Sequence, residues 1–420
     1  MKKRVKRIVQ ILLIMLIIFE LSVVITKTSN SVTNKNFICE DCNVLLITMD
    51  ALRADHLGCY GYERNTTPTI DSIAKEGVLF ENFIANGPIT CISLPAFMSG
   101  QYPTLSSLGE FLYFKIQHDF ITLADTLKLS NYTTRAVINN DIIFTNVLKG
   151  FDKKKVFDFN DDELVTAEAI RLINEAKKDK FFLWIHYISP HTPYRPKFPY
   201  NETFYKDEFY NPTRKVKKTQ IPDIPIGTYL NTTEFDYYIT QYDGEIRFID
   251  NEIKIILNYL YKEKLIDNTI IIISSDHGES LGEHEIYFDH GTLYDTDLKI
   301  PLIIYNPKSK IKNKRIKEQI QSIDLYPTIL NILKLNNQIN INGKNFYNLI
   351  TDKDYQERTA YIKGDDEKTF ALRTNKLKYI NDLEEQLLFD LEKDSLELKN
   401  IITEKPELVN NLTKTFNIKI

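Results

Sequence analysis

The chain has 420 residues, of which 26% are charged and 43% apolar. That balance is ordinary for a globular protein, and the length suffices for one large domain plus a smaller one. The formal net charge of -4 at pH 7 leaves no basic excess, so we exclude nucleic acid as a partner.

The first 36 residues predict a membrane anchor followed by a polar linker. Lysines and arginines between positions 2 and 7 precede an apolar stretch from Ile8 to Thr26. About 19 such residues are long enough to cross a bilayer as a helix. Because the segment from Ser31 to Thr33 is a poor cleavage site, we favour an uncleaved anchor over a cleaved signal peptide. The basic end then stays in the cytoplasm, which predicts a single-pass protein of the cell membrane whose body is exported.

Cys39 and Cys42 stand as a Cys-x-x-Cys pair just before the first predicted strand. Without a second such pair, this spacing does not favour a zinc ribbon. In an exported chain the two residues could close a small disulfide, and two separate thiols are the alternative.

Predicted strands and helices alternate from residue 43 onward. The helix at 68–76 has clear limits, because Thr67 suits the N-cap, Pro68 suits the first turn and Gly77 follows the end. The predicted strands are 44–49, 135–138, 181–187, 269–273 and 300–305, and the predicted helices are 68–76, 123–129, 163–176 and 238–260. This alternation predicts an α/β fold with a mostly parallel sheet sandwiched by helices.

The changes in sequence character along the chain predict three parts. Residues 1–36 form the anchor and linker, residues 37–335 form the large α/β domain, and residues 336–420 form a small C-terminal α+β subdomain. Residues 196–233 are rich in Tyr, Pro, Lys and Asn and show little periodicity. We interpret them as a long surface excursion that could cover a site.

Two apolar strands end in residues that suit a metal. The strand at 44–49 runs into Asp50, and the strand at 269–273 leads to Asp276 and His277. Open α/β folds place their chemistry at the carboxyl edge of the sheet, and a carboxylate beside an imidazole suits a divalent cation. The sequence therefore predicts that these three side chains meet at one edge of the sheet.

The motifs resemble those of the sulfatase family, within the alkaline-phosphatase-like superfamily, and they follow the family's order over about residues 43 to 400. The matching segments are residues 43–62, 66–77, 94–103, 184–194, 275–278, 289–294, 323–328 and 388–391. The resemblance implies the family's fold, a small C-terminal antiparallel sheet with a helix, and metal-dependent hydrolysis of a sulfate ester.

The resemblance also implies roles for individual residues. It makes Asp50, Asp276 and His277 the ligands of a divalent metal, with calcium, manganese or zinc as candidates. Met49 and Ala51 flank Asp50, where many sulfatases carry two adjacent aspartates. A site with fewer carboxylate oxygens is less suited to calcium, and manganese and zinc remain the candidate metals.

The remaining roles concern the substrate. His191 and His290 would bind the ester oxygens or protonate the leaving group, and His284 and Arg53 would bind the anionic substrate. For Arg53 a structural ion pair with the nearby Asp55 is an equal alternative. His186 is interpreted as a structural histidine.

The nucleophile departs from the family's pattern. Cys91 is the alternative nucleophile, but its context lacks the Pro and the Arg of the motif that is oxidised to formylglycine. Counting back from Gly100 places Thr90 at the nucleophile position, as in the branch of the superfamily that attacks with an unmodified Thr. That branch includes phosphoethanolamine and glycerol-phosphate transferases, so we favour Thr90.

Three functions follow. The first is a membrane-anchored hydrolase of extracellular sulfate esters. The second is a phosphodiesterase or phosphotransferase that modifies a surface glycan or a lipid headgroup through Thr90. The third, a non-catalytic binding relative, fits poorly with so complete a ligand set. In the first two the partner is an anionic sulfate- or phosphate-ester substrate.

Overall fold

The centre of the molecule is a strand that is buried along its whole length. In β1 (Asn43–Met49) all seven residues are buried, as expected for a parallel strand covered on both faces. It pairs in parallel with β5 (Phe181–Tyr187) on one side and with β6 (Thr269–Ser275) on the other. These three strands form the part of the sheet that positions the site.

The protein is described by a computed structural model over residues 36–103, 120–139, 147–158, 161–217, 232–336, 340–366 and 368–414. The predicted anchor at residues 8–26 lies outside these ranges. Within them, no helix combines the length and the apolar character needed to cross a membrane. Cys39 and Cys42 form a disulfide. Of the two alternatives for this pair, a disulfide or two separate thiols, the structure has the disulfide.

The main sheet has nine strands and is parallel except at one of them. Its other members are β2 (Val78–Ile84), β3 (Thr133–Asn139), β4 (Lys153–Phe157), β9 (Lys299–Tyr305), β10 (Lys314–Ile316) and β11 (Ile320–Gln321). Their spatial order is β10-β2-β9-β6-β1-β5-β3-β4, and β11 also pairs with β2. A separate two-stranded sheet pairs β7 (Ser280–Leu281) with β8 (Tyr287–Asp289). Among the described strands of the main sheet, only β9 runs antiparallel to its neighbours.

Helices cover both faces of this sheet, and this confirms the predicted fold class. The helices are α1 (Pro68–Glu76), α2 (Thr90–Ser99), α3 (Leu123–Leu129), α4 (Asp162–Ala176), α5 (Tyr200–Thr203), α6 (Phe235–Lys262), α7 (Asp295–Leu298), α8 (Leu325–Ile332), α9 (Tyr347–Ile350) and α10 (Glu407–Lys414). Apolar residues of α2, α3 and α8 pack in one buried cluster, and those of α1, α4 and α6 pack in the other.

A four-stranded sheet lies toward the C-terminus. It is antiparallel and consists of β12 (Ala360–Lys363), β13 (Phe370–Arg373), β14 (Leu377–Asn381) and β15 (Gln386–Asp390). One face packs on Leu293 and Leu298, and the other packs on α10. The buried Lys378 ammonium lies 2.9 Å from Asp295 and 2.8 Å from Glu397, so buried charge pairs join this sheet to the segments that precede and follow it.

The limits predicted for α1 are confirmed, with Thr67 at the N-cap position and Gly77 after the last turn, but the Thr67 side chain does not cap the helix. The Thr67 hydroxyl accepts a hydrogen bond from the Gly58 N–H at 3.0 Å and makes no cap bond to the helix. The Asp250 carboxylate, in α6, accepts instead from the Thr69 N–H at 3.0 Å and the Ile70 N–H at 2.9 Å. A tertiary contact therefore satisfies the helix end that the local sequence was expected to cap.

Candidate active site

Two carboxylates leave adjacent strands at the same edge of the sheet. Met49 at the end of β1 stands opposite Ser275 at the end of β6, so Asp50 and Asp276 follow side by side. Both are almost fully buried, at 2% and 0% exposure. Burial opposes ionisation of Asp50, but the histidines around it hold its pKa well below the usual range.

This edge has the donor set of a metal site. One ligand atom each from Asp50, Asp276 and His186 lies within 4.8 Å of the others. Oδ2 of Asp276 is buried and accepts no hydrogen bond from any residue that the structure describes. Buried carboxylates held this close require a compensating cation, so the residues fit a divalent metal.

His186 is the residue that sequence reasoning missed. It lies in β5 beside Thr48 of β1, and its Nε2 is 3.7 Å from Oδ2 of Asp50. The available signal was a histidine near the end of an otherwise apolar strand. Its position next to the strand that ends at Asp50 depends on the strand order, which the sequence does not state.

His277 joins the same carboxylates, as predicted. Its Nε2 lies 3.2 Å from Oδ1 of Asp50 and 3.6 Å from Oδ2 of Asp276. Burial acts to lower the pKa of His277, but the two carboxylates raise it to about 10. Its Nδ1 lies 2.8 Å from the Gly278 carbonyl oxygen, and this contact orients Nε2 toward the cluster.

Thr90 brings a hydroxyl to this group. It is the first residue of α2, and its Oγ1 lies 3.1 Å from Nε2 of His277. The same oxygen is 3.4 Å from each carboxylate oxygen of Asp50. The neighbouring Cys91 has no described contact with the cluster, and burial raises the pKa of its thiol to about 12. The geometry thus places the threonine hydroxyl, and not the thiol, beside the candidate metal ligands.

The two histidines predicted to act on the substrate also meet here. The ring of His290 stacks on that of His277 with centroids 4.4 Å apart, and it meets His191 edge to face at 4.8 Å. On its other side, Nδ1 of His290 lies 3.5 Å from Oε2 of Glu279. Sequence reasoning did not single out Glu279, although it follows His277 by two positions.

Arg53 lies at the border of the site with its guanidinium already paired. Nε and Nη2 make two hydrogen bonds to Asp55, at 2.9 and 2.8 Å, and Nη1 bonds Glu283 at 2.8 Å. Nη1 also donates to the Glu279 carbonyl at 3.1 Å. This geometry is that of the structural ion pair, which was one of the two alternatives.

His284 is not among the residues brought together by the described contacts. Its ring stacks on Tyr294 at a centroid distance of 3.6 Å and an angle of 5°. It lines a cavity of about 430 Å³ together with Arg53, Lys299 and Arg373. The role predicted for it in substrate binding would have to be exerted from that cavity.

Comparison with known proteins identifies the family. Residues 42–335 match the family model described as Sulfatase, and residues 282–419 match that of the C-terminal part of N-sulphoglucosamine sulphohydrolase. An arylsulfatase of Clostridium perfringens is 24% identical and covers 89% of this chain and 93% of its own length. Arylsulfatase K of Rattus norvegicus is 25% identical, with coverages of 88% and 76%.

Solved structures share the fold. A structure in complex with its substrate D-glucosamine-2-N,6-O-disulfate superposes with a TM-score of 0.74 at 20% identity, covering 90% of this chain and 97% of its own. A sulfatase structure from Bacteroides fragilis reaches a TM-score of 0.73 at 23% identity, with coverages of 90% and 94%. The family model spans most of the chain, and the fold and the clustered acids and histidines agree with it. The chain therefore belongs to the sulfatase family of ester hydrolases, within the alkaline-phosphatase-like superfamily.

Proposed function

We propose that this chain is a metal-dependent hydrolase that cleaves sulfate esters of a glycan outside the cytoplasmic membrane. The observation that supports it best is the cluster in which the Thr90 hydroxyl lies 3.1 Å from His277 and 3.4 Å from Asp50 at a buried sheet edge. One structural relative was solved in complex with k-i-k-neocarrahexaose, and another in complex with its substrate D-glucosamine-2-N,6-O-disulfate. A sulfated saccharide is therefore the first substrate class to test.

The chemistry requires a cation at this edge. The oxygens of a sulfate or phosphate ester carry negative charge, which repels a nucleophile. A divalent metal held by Asp50, Asp276, His277 and His186 would neutralise that charge and lower the pKa of a hydroxyl beside it.

The side chains can then divide the reaction between them. The oxygen of Thr90 attacks the sulfur after losing its proton to water, and the bond between sulfur and the leaving oxygen breaks. His290 donates a proton to that oxygen, so the product leaves as an alcohol. Water then attacks the sulfur of the threonine ester and the bond between sulfur and Oγ1 breaks. This step releases hydrogensulfate, and a proton from the water restores the Thr90 hydroxyl.

A second candidate is phosphoryl chemistry at the same residues. It is favoured by the unmodified threonine, because a threonine ester cannot expel its group by the elimination open to a formylglycine hydrate. It has to be resolved by water or by an acceptor hydroxyl, and an acceptor would make the protein a transferase of the ping-pong type.

The test is a substrate panel under defined metal conditions. Purified protein is stripped with a chelator, reloaded with manganese, zinc or calcium, and assayed on 4-nitrophenyl sulfate, 4-nitrophenyl phosphate, a phosphodiester and a sulfated oligosaccharide. Metal-dependent sulfate release supports the first function. Turnover of the phosphate esters alone would reject it in favour of the second, and a preference for an added alcohol over water would indicate transfer.

The basic residues between positions 2 and 7 and the apolar stretch that follows them support a location in the cell membrane. We place the protein in the cell membrane through the segment at residues 8–26, with the active site outside the cytoplasm. Fractionation of intact cells followed by external protease tests this. Protection of the large domain from the protease would contradict it.

A further inference from the structure

Glu279 is a buried carboxylate whose two oxygens face two different side chains. It has 0% exposure and lies in the turn that follows His277. Oε1 accepts a hydrogen bond from the Tyr194 hydroxyl at 2.9 Å. Oε2 is 3.5 Å from Nδ1 of His290 and receives no hydrogen bond from the residues that the structure describes.

Such a group is costly to bury without a partner for each oxygen. An unsatisfied buried polar atom costs on the order of 1 to 3 kcal/mol, and more when it is charged. Tyr194 satisfies one oxygen, and its ring is fixed by edge-to-face contacts with Tyr242 at 5.3 Å and Phe288 at 6.2 Å. The second oxygen is directed at His290, and closing the gap of 3.5 Å to a hydrogen bond needs a shift of only a few tenths of an ångström.

We infer that Glu279 is a positioning residue for His290, an inference that rests on the proposed function. Its carboxylate accepts the Nδ1–H of His290 and so fixes the orientation of the ring. The protonated ring then carries its second proton at Nε2, and it is left as the Nδ1–H tautomer once that proton has been donated. The other nitrogen, Nε2, is then the one that meets the leaving oxygen of the ester. A carboxylate behind an imidazole has this effect in hydrolytic sites generally, because it holds the ring in one orientation.

The contacts around His290 show why the ring needs such a partner. It lies against the rings of His277 and His191, which offer flat surfaces and edges that do not select one ring nitrogen over the other. The contact with Glu279 is different, because it places a carboxylate oxygen, which can accept a hydrogen bond, beside Nδ1 of His290. The selection of Nε2 for the substrate therefore falls to Glu279.

One measurement does not depend on turnover. The chain has 7 histidines, so a ¹⁵N spectrum of the histidine-labelled full chain can be assigned with the variant His290→Gln. We expect the proton at Nδ1 of His290 in the wild type and its loss from that nitrogen in Glu279→Gln. Identical His290 signals in the two proteins would overturn the inference.

A second measurement separates positioning from general damage. The turnover of Glu279→Gln is compared with that of the wild type on an aryl ester, whose leaving group needs no proton, and on an alkyl ester, whose leaving group does. We expect kcat to fall about 10- to 100-fold on the alkyl ester, with a much smaller fall on the aryl ester and little change in KM. Equal losses on both would refute the role.

A matched control is Glu252→Gln, which makes the same change at a buried glutamate of α6. It should leave the ratio of the two activities unchanged. The two hypotheses fail differently: a wild type that turns over neither ester contradicts the proposed function, whereas an unchanged His290 spectrum contradicts the role of Glu279.

Discussion

Replacing Thr90 by alanine is expected to remove turnover while leaving the fold intact. The change deletes a hydroxyl that lies 3.1 Å from His277 and 3.4 Å from Asp50, and alanine suits the first turn of a helix. The loss of a nucleophile that forms a covalent intermediate costs on the order of 10⁴- to 10⁶-fold in kcat. We expect a loss in that range for Thr90→Ala, whereas Thr90→Ser, which keeps the hydroxyl, should retain measurable turnover.

Cys91→Ser is the matched control at the neighbouring position. Burial raises the pKa of the Cys91 thiol to about 12, so very little of it is ionised at pH 7. A thiol in that state is a poor nucleophile, and its oxygen analogue should preserve most of the activity.

The assay is steady-state turnover on the substrates that the wild type accepts, with thermal melting to confirm that each variant is folded. Mass spectrometry detects any conversion of the Cys91 thiol to an aldehyde. It is applied to the peptide that contains Thr90 and Cys91, from protein purified from the native host. The reasoning is refuted if Cys91→Ser is inactive while Thr90→Ala is active, or if Cys91 is found as formylglycine.

Three further outcomes are expected. Asp276→Asn should lower metal affinity, measured by titrating the chelated protein, by about 10-fold or more; unaltered affinity would remove this carboxylate from the ligand set. Burial, with Asp162 beside it, raises the pKa of Glu245 to about 7 from an ordinary value of 4.5, so the folded chain holds this proton more tightly and loses roughly 3 kcal/mol of stability as the pH rises from 4.5 to 7. In urea unfolding, Glu245→Gln should show a shallower fall over that window, and an unchanged slope would contradict the assignment. Lys378→Met, which removes the cation beside the buried Glu397 and leaves Asp295 with Arg373 alone, should cost about 3 kcal/mol of stability, against less than about 1 kcal/mol for the exposed Lys376→Met; equal melting temperatures would show that the buried pairs contribute little.

Much of the site could be predicted because the carboxyl ends of parallel strands lie at the same edge of a sheet. Asp50 and Asp276 each follow an apolar run, and a sheet that pairs those runs in register must bring the two carboxylates together. The position of Thr90 came from its spacing to later motif residues, and the helix that begins at Thr90 places the hydroxyl at the metal ligands.

What remained hidden depends on contacts between residues far apart in the chain. His186 faces Asp50 because β5 is the neighbour of β1, and strand order is a property of the sheet. Asp250 caps α1 across the packed helices, and Glu283, which is 230 residues from Arg53 in the chain, reaches its guanidinium only in the folded structure. Local sequence therefore determined the elements and the ends of the strands, because period and apolar runs are properties of neighbours along the chain. The partners that come to these buried polar groups from distant segments were decided by the tertiary structure, because only packing sets which donor and which acceptor lie together away from water.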